Sequence, residues 1–355
     1  MSSASQPQTM ATRSFRPGVV RVIRTVATVV VALLAAYALL GLTQTPAGWS
    51  WTNPTQQFMN FVTLGAIYAL IALGYTMVYG IIELINFAHG DLFMFGAFVA
   101  MWILTVPLGM TGAVENPLQL IVILVVVMVP TMIFMGLLGM FIERFAYRPL
   151  RHAPRLAPLI TAIGVSVILI NVIYVIFGPS PVNVPQVFPL TRFDFLGGKI
   201  SFLSLFMVGV AIFLMVVLQL FVGRTRLGRA MRSTAQDREA AQLMGVDINQ
   251  TIAITFFIAA ALAGAGGTIQ GLYFGSVQFN LGFYVGLKAF TAAVLGGIGN
   301  TTGAALGGFI IAFIEVLATQ LGYSRWSEVA VFAVLILVLV FRPAGILGQQ
   351  LGERA

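Results

Sequence analysis

Long stretches without any Asp, Glu, Lys or Arg constrain the fold of this chain more than any other feature. Five of them cover residues 25–82, 116–142, 156–191, 200–223 and 248–287. Each exceeds the about 20 apolar residues that cross a bilayer as a helix. They are apolar on every face, which excludes a transmembrane β-barrel, because barrel strands alternate apolar and polar residues. With only 8% charged residues, a soluble enzyme is also excluded, and we predict an all-α polytopic membrane protein.

The apolar segments predict about ten transmembrane helices (8–10). The segment 283–298 contains Lys288 and ends in glycines, so a re-entrant segment is an alternative there. The first segment is longer than the apolar core of a signal peptide, about 7–15 residues, which favours a retained helix. The predicted spans are about 26–42, 57–79, 91–106, 118–142, 157–177, 203–222, 252–274, 283–298, 301–321 and 327–341.

Arginine outnumbers lysine 17 to 2, and most arginines lie in four connections between the apolar spans. Even numbers of spans separate these connections, so all four fall on one side of the membrane. Because basic loops face the cytoplasm, we predict that both termini are cytoplasmic. The net charge of +8 is then an orientation signal, and nucleic acid is not an expected partner. The arginines are Arg13, Arg16, Arg21, Arg24, Arg144, Arg148, Arg151, Arg155, Arg224, Arg226, Arg229, Arg232, Arg238, Arg342 and Arg354.

These spans predict three parts of the chain. A polar and basic N-terminal tail covers residues 1–25, a transmembrane domain covers 26–341, and a C-terminal tail covers 342–355. Both tails are predicted to be cytoplasmic, and the membrane lipid surrounds the central part.

The largest hydrophilic connection, residues 223–251, holds a short distinctive pattern. Glu239, Ala240 and Ala241 are followed by Gly245, which predicts a short helix that ends at a glycine turn. Such a helix projecting from the membrane suits docking into a groove of a soluble partner. A solvated loop whose arginines only set the topology is the alternative.

This pattern resembles the coupling loop of ABC importer permeases, in which Glu-Ala-Ala is followed after three residues by Gly. Three further motifs occur in the order typical of branched-chain amino-acid ABC transporter permeases of the H-subunit type, and the resemblance covers about residues 54–348. Many importer permeases carry a Leu-Pro pair beyond the coupling glycine, where this chain has Ile252-Ala253-Ile254, so its coupling geometry need not copy theirs. The motifs are GYTMVYGIIELINFAHGDLFMFGAF (74–98), GGIGNTTGAALGG (296–308) and FRPAGILG (341–348).

The resemblance implies a permease subunit that works by ATP-driven alternating access in a bacterial cytoplasmic (inner) membrane. It implies a second homologous permease subunit, two cytoplasmic ATPase subunits and an extracytoplasmic substrate-binding protein as partners. The expected substrate is a branched-chain amino acid; urea and short amides are an alternative, and a stand-alone channel or facilitator is an alternative of another class. The residues expected to couple to the ATPase are Arg238, Glu239, Ala240, Ala241 and Gly245.

Several motifs of enzymes and cofactor sites are missing from the sequence. It contains no P-loop and no catalytic GxSxG or HExxH pattern, and it has no Cys for a thiolate site. We therefore expect no enzymatic activity and no cofactor on this chain. ATP and Mg would lie on the partner ATPase subunits.

Polar residues interrupt the apolar sequence at 80–91, where Glu83, Asn86, His89 and Asp91 lie. A metal site or proton relay is disfavoured, because the other histidine, His152, lies among loop arginines and no carboxylate cluster accompanies the group. One alternative is a structural helix break, whose polar side chains satisfy freed backbone groups. The family resemblance adds another, in which a broken helix lines the translocation path or its cytoplasmic gate.

The glycine cluster contains Gly297, Gly299 and Asn300 between two predicted spans. Its GxGxxxG spacing differs from the GxGxxG of dinucleotide sites, which also require a preceding strand. A tight turn between closely packed helices explains the cluster, and a position beside the pore is the alternative.

Two charges fall within the last predicted spans, Lys288 and Glu315. Since an ionisable group at membrane depth needs a partner, we hypothesise that these two side chains pair across neighbouring helices.

Overall fold

The computed structural model describes residues 54–82, 86–151, 153–154, 156–188, 192–195, 198–342 and 344–348. The predicted tail 1–25, the first predicted span, Glu83 and His152 lie outside these ranges. Within them the chain forms eleven α-helices: α1 (Pro54–Ile82), α2 (Ala88–Thr105), α3 (Pro117–Ile142), α4 (Leu156–Phe177), α5 (Phe202–Arg224), α6 (Arg226–Gln236), α7 (Arg238–Leu243), α8 (Ile248–Phe274), α9 (Leu281–Gly296), α10 (Thr301–Gln320) and α11 (Ser327–Phe341).

Shorter elements join some of these helices. A π-helical turn, Glu143–Tyr147, and a 3₁₀ turn, Arg148–Leu150, continue α3, and another 3₁₀ turn, Ser324–Trp326, precedes α11. Four short strands form two antiparallel pairs: β1 (Val182–Asn183) pairs with β4 (Ser276–Val277), and β2 (Arg192–Phe195) pairs with β3 (Gly198–Ser201). The sequence patterns did not predict these strands.

Among the described residues, eight helical segments are long and apolar enough to cross a membrane. The helix α9 is also apolar but has 16 residues, about 24 Å at 1.5 Å per residue. Each of the nine spans predicted from residue 57 onward coincides with one helix. The prediction of an all-α polytopic membrane protein is therefore confirmed.

Local sequence explains where the helices begin and end. The side chain of Asn116 accepts a hydrogen bond from the Leu118 N–H (3.0 Å), and Pro117 occupies the first helical position of α3, where its missing N–H costs nothing. At a helix C-terminus, α8 ends at Gly275 in the left-handed conformation (φ 68°), which glycine adopts without steric penalty.

Five helices, α1, α2, α8, α9 and α10, form the packed interior of the bundle. In contrast, α4, α5 and α11 expose most of their apolar side chains. An exposed apolar surface of this kind is suited to lipid or to another membrane subunit.

Small residues allow the inner helices to approach closely. A Cβ atom on Gly267 of α8 would collide with the Phe93 carbonyl of α2, and one on Gly307 of α10 would collide with the Ala292 carbonyl of α9. Glycine is therefore required at both positions, because in membranes helices associate mainly through such close van der Waals packing. The close packing of the two helices expected on either side of the glycine cluster is confirmed at Gly307.

Contacts between distant segments define two ends of the bundle. At one end, which we call the Arg-rich end, lie the C-terminus of α1 and the segments 143–151, 224–247, 296–300 and 342–348. Hydrogen bonds join these segments: Arg238 to the Ile81 carbonyl, Arg151 to Asn249, and the Ile346 N–H to the Leu295 carbonyl. At the other end, β1 pairs with β4. The described arginine groups thus share one end, as the spacing predicted.

A buried ion pair joins α9 and α10, as hypothesised from the sequence. The Lys288 Nζ lies 2.7 Å from the Glu315 Oε1, and the Tyr68 hydroxyl of α1 donates a hydrogen bond to the other carboxylate oxygen (2.6 Å). The Glu328 carboxylate, half-exposed at the start of α11, is 3.9 Å from the same amine. Three inner helices are therefore joined by one carboxylate.

We predict that Lys288→Met or Glu315→Leu alone destabilises the fold more than the double substitution. Either single change leaves a largely buried charge without its close partner, since Glu328 is half-exposed and 3.9 Å from Lys288. Breaking a buried pair in this way costs up to about 3–5 kcal/mol, whereas an apolar replacement of both partners is often close to neutral. Thermal unfolding of the purified protein in mild detergent measures the difference. Glu328→Gln is the control and should change the melting temperature little, because partly exposed pairs contribute about 0–1 kcal/mol. Equal losses in the singles and the double would contradict the prediction.

Candidate functional site

The coupling pattern forms the short helix α7, which confirms the helix and glycine turn predicted from the sequence. The Asp237 carboxylate accepts a hydrogen bond from the Ala240 N–H (3.0 Å) and so caps its N-terminus. At its C-terminus Gly245 has φ 84°, and the Val246 N–H donates to the Ala241 carbonyl (3.1 Å). The Asp237 cap and the Gly245 turn therefore limit α7 to about one and a half helical turns between α6 and α8.

The outer face of α7 is exposed and partly apolar. Leu243 and Met244 are 88% and 85% exposed, and Glu239, Ala240 and Gly245 are exposed beside them. Ala241 is buried. Exposed apolar side chains next to a charge are typical of a docking surface.

Arg238, the first residue of α7, points inward. Its guanidinium donates a hydrogen bond to the Ile81 carbonyl (2.6 Å), in the last turn of α1. Carbonyls of a last turn have no partner within their own helix, so this bond satisfies one of them. The expected coupling residues thus divide into an outer set and an inner anchor.

A second contact holds the chain on the other side of α7. The Arg151 guanidinium donates to the Asn249 side chain in the first turn of α8 (2.6 Å). Arg151 and Arg148 both pair with Glu143, which is 0% exposed. Burial lowers the pKa of Arg151, the Glu143 carboxylate raises it, and the charges of Arg148 and Arg238 lower it further.

Sequence reasoning missed several of these residues. Within 223–251 it predicted one short helix, whereas α6 forms a second helix before it. It assigned the arginines at 144–155 to topology alone and overlooked Glu143, Tyr147 and Asn249. A single carboxylate preceding several arginines, as in the sequence ERFAYRPLR, is the signal that could have found the cluster.

The residues Asn86, His89 and Asp91 are all buried, but each contacts a different helix. The Asn86 side chain accepts a hydrogen bond from the Tyr147 hydroxyl (2.7 Å). The His89 ring packs against Tyr75 of α1, with ring centroids 4.7 Å apart. The ring also interacts with the backbone of Ile71, one turn earlier in α1.

Asp91 lies in the first turn of α2, beside the start of α9. A side chain on Gly282 would collide with its carboxylate, and Ser166 of α4 faces it from the other side. A carboxylate in a first helical turn is favoured by the positive end of the helix dipole. Asp91 is therefore explained by packing and electrostatics at this junction.

One small cavity borders part of this region. It has a volume of about 10 Å³, room for roughly one water molecule. Among the three polar residues, Asn86 lines it and the other two do not. Among the described residues, no group of three His, Cys, Asp or Glu side chains is placed to bind a metal ion. The cavity is lined by Tyr75, Thr76, Tyr79, Asn86, Phe290, Ala293 and Ile298.

The glycine cluster forms the turn between α9 and α10. Gly297 and Gly299 have φ 105° and 87°, conformations that glycine adopts readily. Asn300 caps α10 by accepting a hydrogen bond from the Gly303 N–H (3.1 Å). The tight turn expected from the sequence is confirmed.

The C-terminal motif FRPAGILG docks on this turn. The Ile346 N–H donates to the Leu295 carbonyl (2.8 Å) and the Leu347 N–H to the Gly296 carbonyl (3.1 Å). The Asn300 amide donates to the Leu347 carbonyl (2.9 Å). Two of the motifs that carry the family resemblance are therefore halves of one contact.

We predict that Gly297→Ala destabilises the protein more than Gly299→Ala. Both changes place alanine at a positive φ, which costs about 1 kcal/mol or more. A Cβ on Gly297 would also meet the Gly348 backbone, whereas nothing lies within 4 Å at Gly299. Thermal unfolding in detergent, with protease cleavage of the C-terminal segment as a second measurement, tests the order. Equal effects would mean that the docked segment adds nothing to the stability of the turn.

Comparison with known proteins gives consistent matches along the chain. Residues 57–339 match the family described as "Branched-chain amino acid transport system / permease component". The high-affinity branched-chain amino acid transport system permease protein BraD of Pseudomonas aeruginosa is 42% identical over 303 residues, which cover 84% of this chain and 97% of that protein. LivH of Escherichia coli K12, which bears the same description, is 40% identical with the same coverage.

A more distant relative comes from an archaeon. The probable branched-chain amino acid transport permease protein LivH of Methanocaldococcus jannaschii is 28% identical over 298 residues, 79% of this chain and 89% of that protein. The family match over residues 57–339 includes the coupling helix, the polar interruption after α1 and the glycine turn.

Proposed function

The chain belongs to the family of branched-chain amino acid transport system permease components, and we propose that it is the permease subunit of an ABC importer for leucine, isoleucine and valine in a bacterial cytoplasmic membrane. The observation that carries this proposal is the identity of 40–42% to permeases named for that transport over 84% of the chain. The eight membrane-capable helical segments support a multi-pass membrane protein.

We propose that energy comes from separate subunits. The sequence has no P-loop, so ATP and Mg would bind to two cytoplasmic ATPase subunits and no cofactor to this chain. A second, homologous permease subunit would complete the pore, and an extracytoplasmic binding protein would deliver the amino acid. The apolar outer faces of α4, α5 and α11 offer surface for lipid and for the second permease.

The outer face of α7 is our candidate for the ATPase contact. Leu243 and Met244 would enter an apolar groove of the ATPase, with Glu239 and Gly245 at its rim. Arg238 would hold the helix to the end of α1, so that closure of the ATPase dimer on ATP binding moves the Arg-rich end. This movement would drive alternating access.

We place the cytoplasmic gate at the Arg-rich end of the bundle. There Asn86 and Ile298 border the same small cavity, and Gly297, Gly299 and Asn300 form the adjoining turn. In this proposal the cavity is the closed state of the path, and separation of α1 from α9 widens it. His89 and Asp91 would act by fixing the start of α2.

The proposal is tested first by its subunits and substrate. A tagged chain purified from mild detergent should retain a second permease and P-loop ATPases. In proteoliposomes containing the binding protein, the complex should take up radiolabelled leucine only with ATP. Uptake of urea or a short amide in place of leucine would select the alternative substrate. Elution of the chain alone, with ATP-independent conduction, would indicate a facilitator and overturn the proposal.

We predict that Gly245→Trp or Glu239→Arg abolishes most ATP-driven uptake while membrane insertion stays normal. Both positions are exposed, and nothing lies within 4 Å of a Cβ on Gly245, so neither new side chain meets a neighbour within this chain, whereas each would meet a docked partner. Trp at the positive φ of Gly245 (84°) also strains the turn, so the control has to carry the same strain. Gly322→Trp is the matched control: it adds the same side chain at an exposed glycine of nearly the same φ (82°), after α10, with nothing within 4 Å. Normal uptake by the Gly245→Trp variant would contradict the assignment of α7 as the ATPase contact.

A further inference from the structure

The segment Glu143–Arg151 makes two contacts with distant parts of the chain. Arg151 binds Asn249 at the start of α8, and Tyr147 binds Asn86, which lies two residues before α2. We propose that this segment is a positioning relay: Arg151 receives movement from the coupling helix through Asn249, and Tyr147 passes it to Asn86. The inference rests on the proposed function, since it assigns a role in coupling to residues that touch neither ATP nor the transported solute.

The relay begins where the coupling segment enters the membrane. Asn249 lies four residues after Gly245 and two residues after Asp247, which caps α8. Its side chain is exposed except for the hydrogen bond from Arg151. Any displacement of α7 that moves the first turn of α8 therefore pulls on the Arg151 guanidinium.

Glu143 makes the middle of the relay rigid. Its carboxylate accepts hydrogen bonds from the Arg148 Nε (3.3 Å) and Nη2 (3.1 Å), and from the Arg151 Nη2. Charge-assisted bonds from two guanidinium groups to one buried carboxylate fix both side chains in direction as well as in distance. Arg151 thus cannot follow Asn249 alone, and the whole turn moves with it.

The backbone between Glu143 and Tyr147 is a π-helical turn. Such turns are rare and frequently lie at functional sites. Here the turn places the buried Glu143 and Tyr147 four residues apart at the end of α3. This irregular backbone lies in the same segment that makes the two side-chain contacts, and it does not depend on those side-chain hydrogen bonds.

Tyr147 forms the far end of the relay. Its hydroxyl donates to the Asn86 side chain (2.7 Å), and its ring packs against Phe256 of α8 with centroids 5.5 Å apart. Asn86 accepts this bond while buried and borders the cavity assigned above to the closed gate. Movement of the turn therefore reaches one wall of that cavity.

The direct bond from Arg238 to the Ile81 carbonyl complements the relay. It attaches the beginning of α7 to the end of α1, whereas the relay attaches the region after α7 to the approach to α2. With both attachments, the chain is held to the bundle before and after α7. One attachment alone would let the helix pivot without moving the bundle.

The test uses the assembled complex in proteoliposomes with its binding protein, and the readout is radiolabelled leucine uptake per ATP hydrolysed. Tyr147→Phe removes the hydroxyl but keeps the ring on Phe256. Asn249→Ala removes the acceptor at an exposed position, and Asn249→Asp retains an acceptor as the matched control. We expect each of the first two to lower the ratio about fivefold, as for loss of one hydrogen bond, and Asn249→Asp to keep it.

The double variant Tyr147→Phe/Asn249→Ala decides whether the two contacts act in series. If they do, its ratio of uptake to hydrolysis should equal that of the single variant with the lower ratio, because one substitution already interrupts the relay. A ratio that falls by the product of the two single losses would show independent contributions and overturn the relay. Unchanged ratios in both single variants would also overturn the relay. This includes the result expected of a purely structural role, in which thermal stability falls and uptake and hydrolysis decrease equally.

The unsubstituted complex separates this proposal from the one on which it rests. ATP-driven leucine uptake by that complex, with normal ratios in the variants, refutes the relay and leaves the proposed function standing. Absence of ATP-driven uptake of leucine by a complete complex refutes the proposed function, and the relay falls with it.

Discussion

Close approach of helix backbones is the constraint on which the rest of this structure depends. Lipid is as apolar as leucine, so burial of hydrophobic side chains does not draw one membrane helix to another. The five inner helices meet instead where glycine leaves no side chain, as at Gly267 and Gly307. The buried ion pair of Lys288 with Glu315 and the hydrogen bond of Tyr68 depend on this approach, because their short polar contacts form only between helices already held together.

Much of the fold followed from the sequence, because the membrane permits few solutions. Backbone groups without access to water must pair within a helix, so apolar runs of sufficient length predicted nine of the eleven α-helices in the described residues, all except the polar α6 and α7. Charge spacing predicted that the arginine groups share one end. Gly245 marked the end of α7, and scarcity of charge predicted the partner of Lys288, since each ion had few others available.

The remaining features depend on contacts between distant segments, which periodicity does not encode. Nothing in the spacing of Asn86, His89 and Asp91 indicates that they face three different helices, or that Tyr147 is the donor to Asn86. The docking of 341–348 on the glycine turn likewise joins residues about 50 positions apart. The family resemblance showed that both motifs were present without showing that they touch. The arginines at 144–151 were explained by membrane orientation alone, so their second role, around Glu143, was not predicted.

The docked C-terminal motif has a consequence for the order in which the protein is made. A membrane chain is inserted as it is synthesised, from its N-terminus onward, so the turn between α9 and α10 leaves the ribosome long before the residues that cover it. Until Ile346 and Leu347 arrive, the carbonyls of Leu295 and Gly296 face an open crevice. Synthesis of residues 346 and 347 is thus the step that completes this contact. A chain that stops before residue 346 keeps its glycine turn but leaves the Leu295 and Gly296 carbonyls without these two donors.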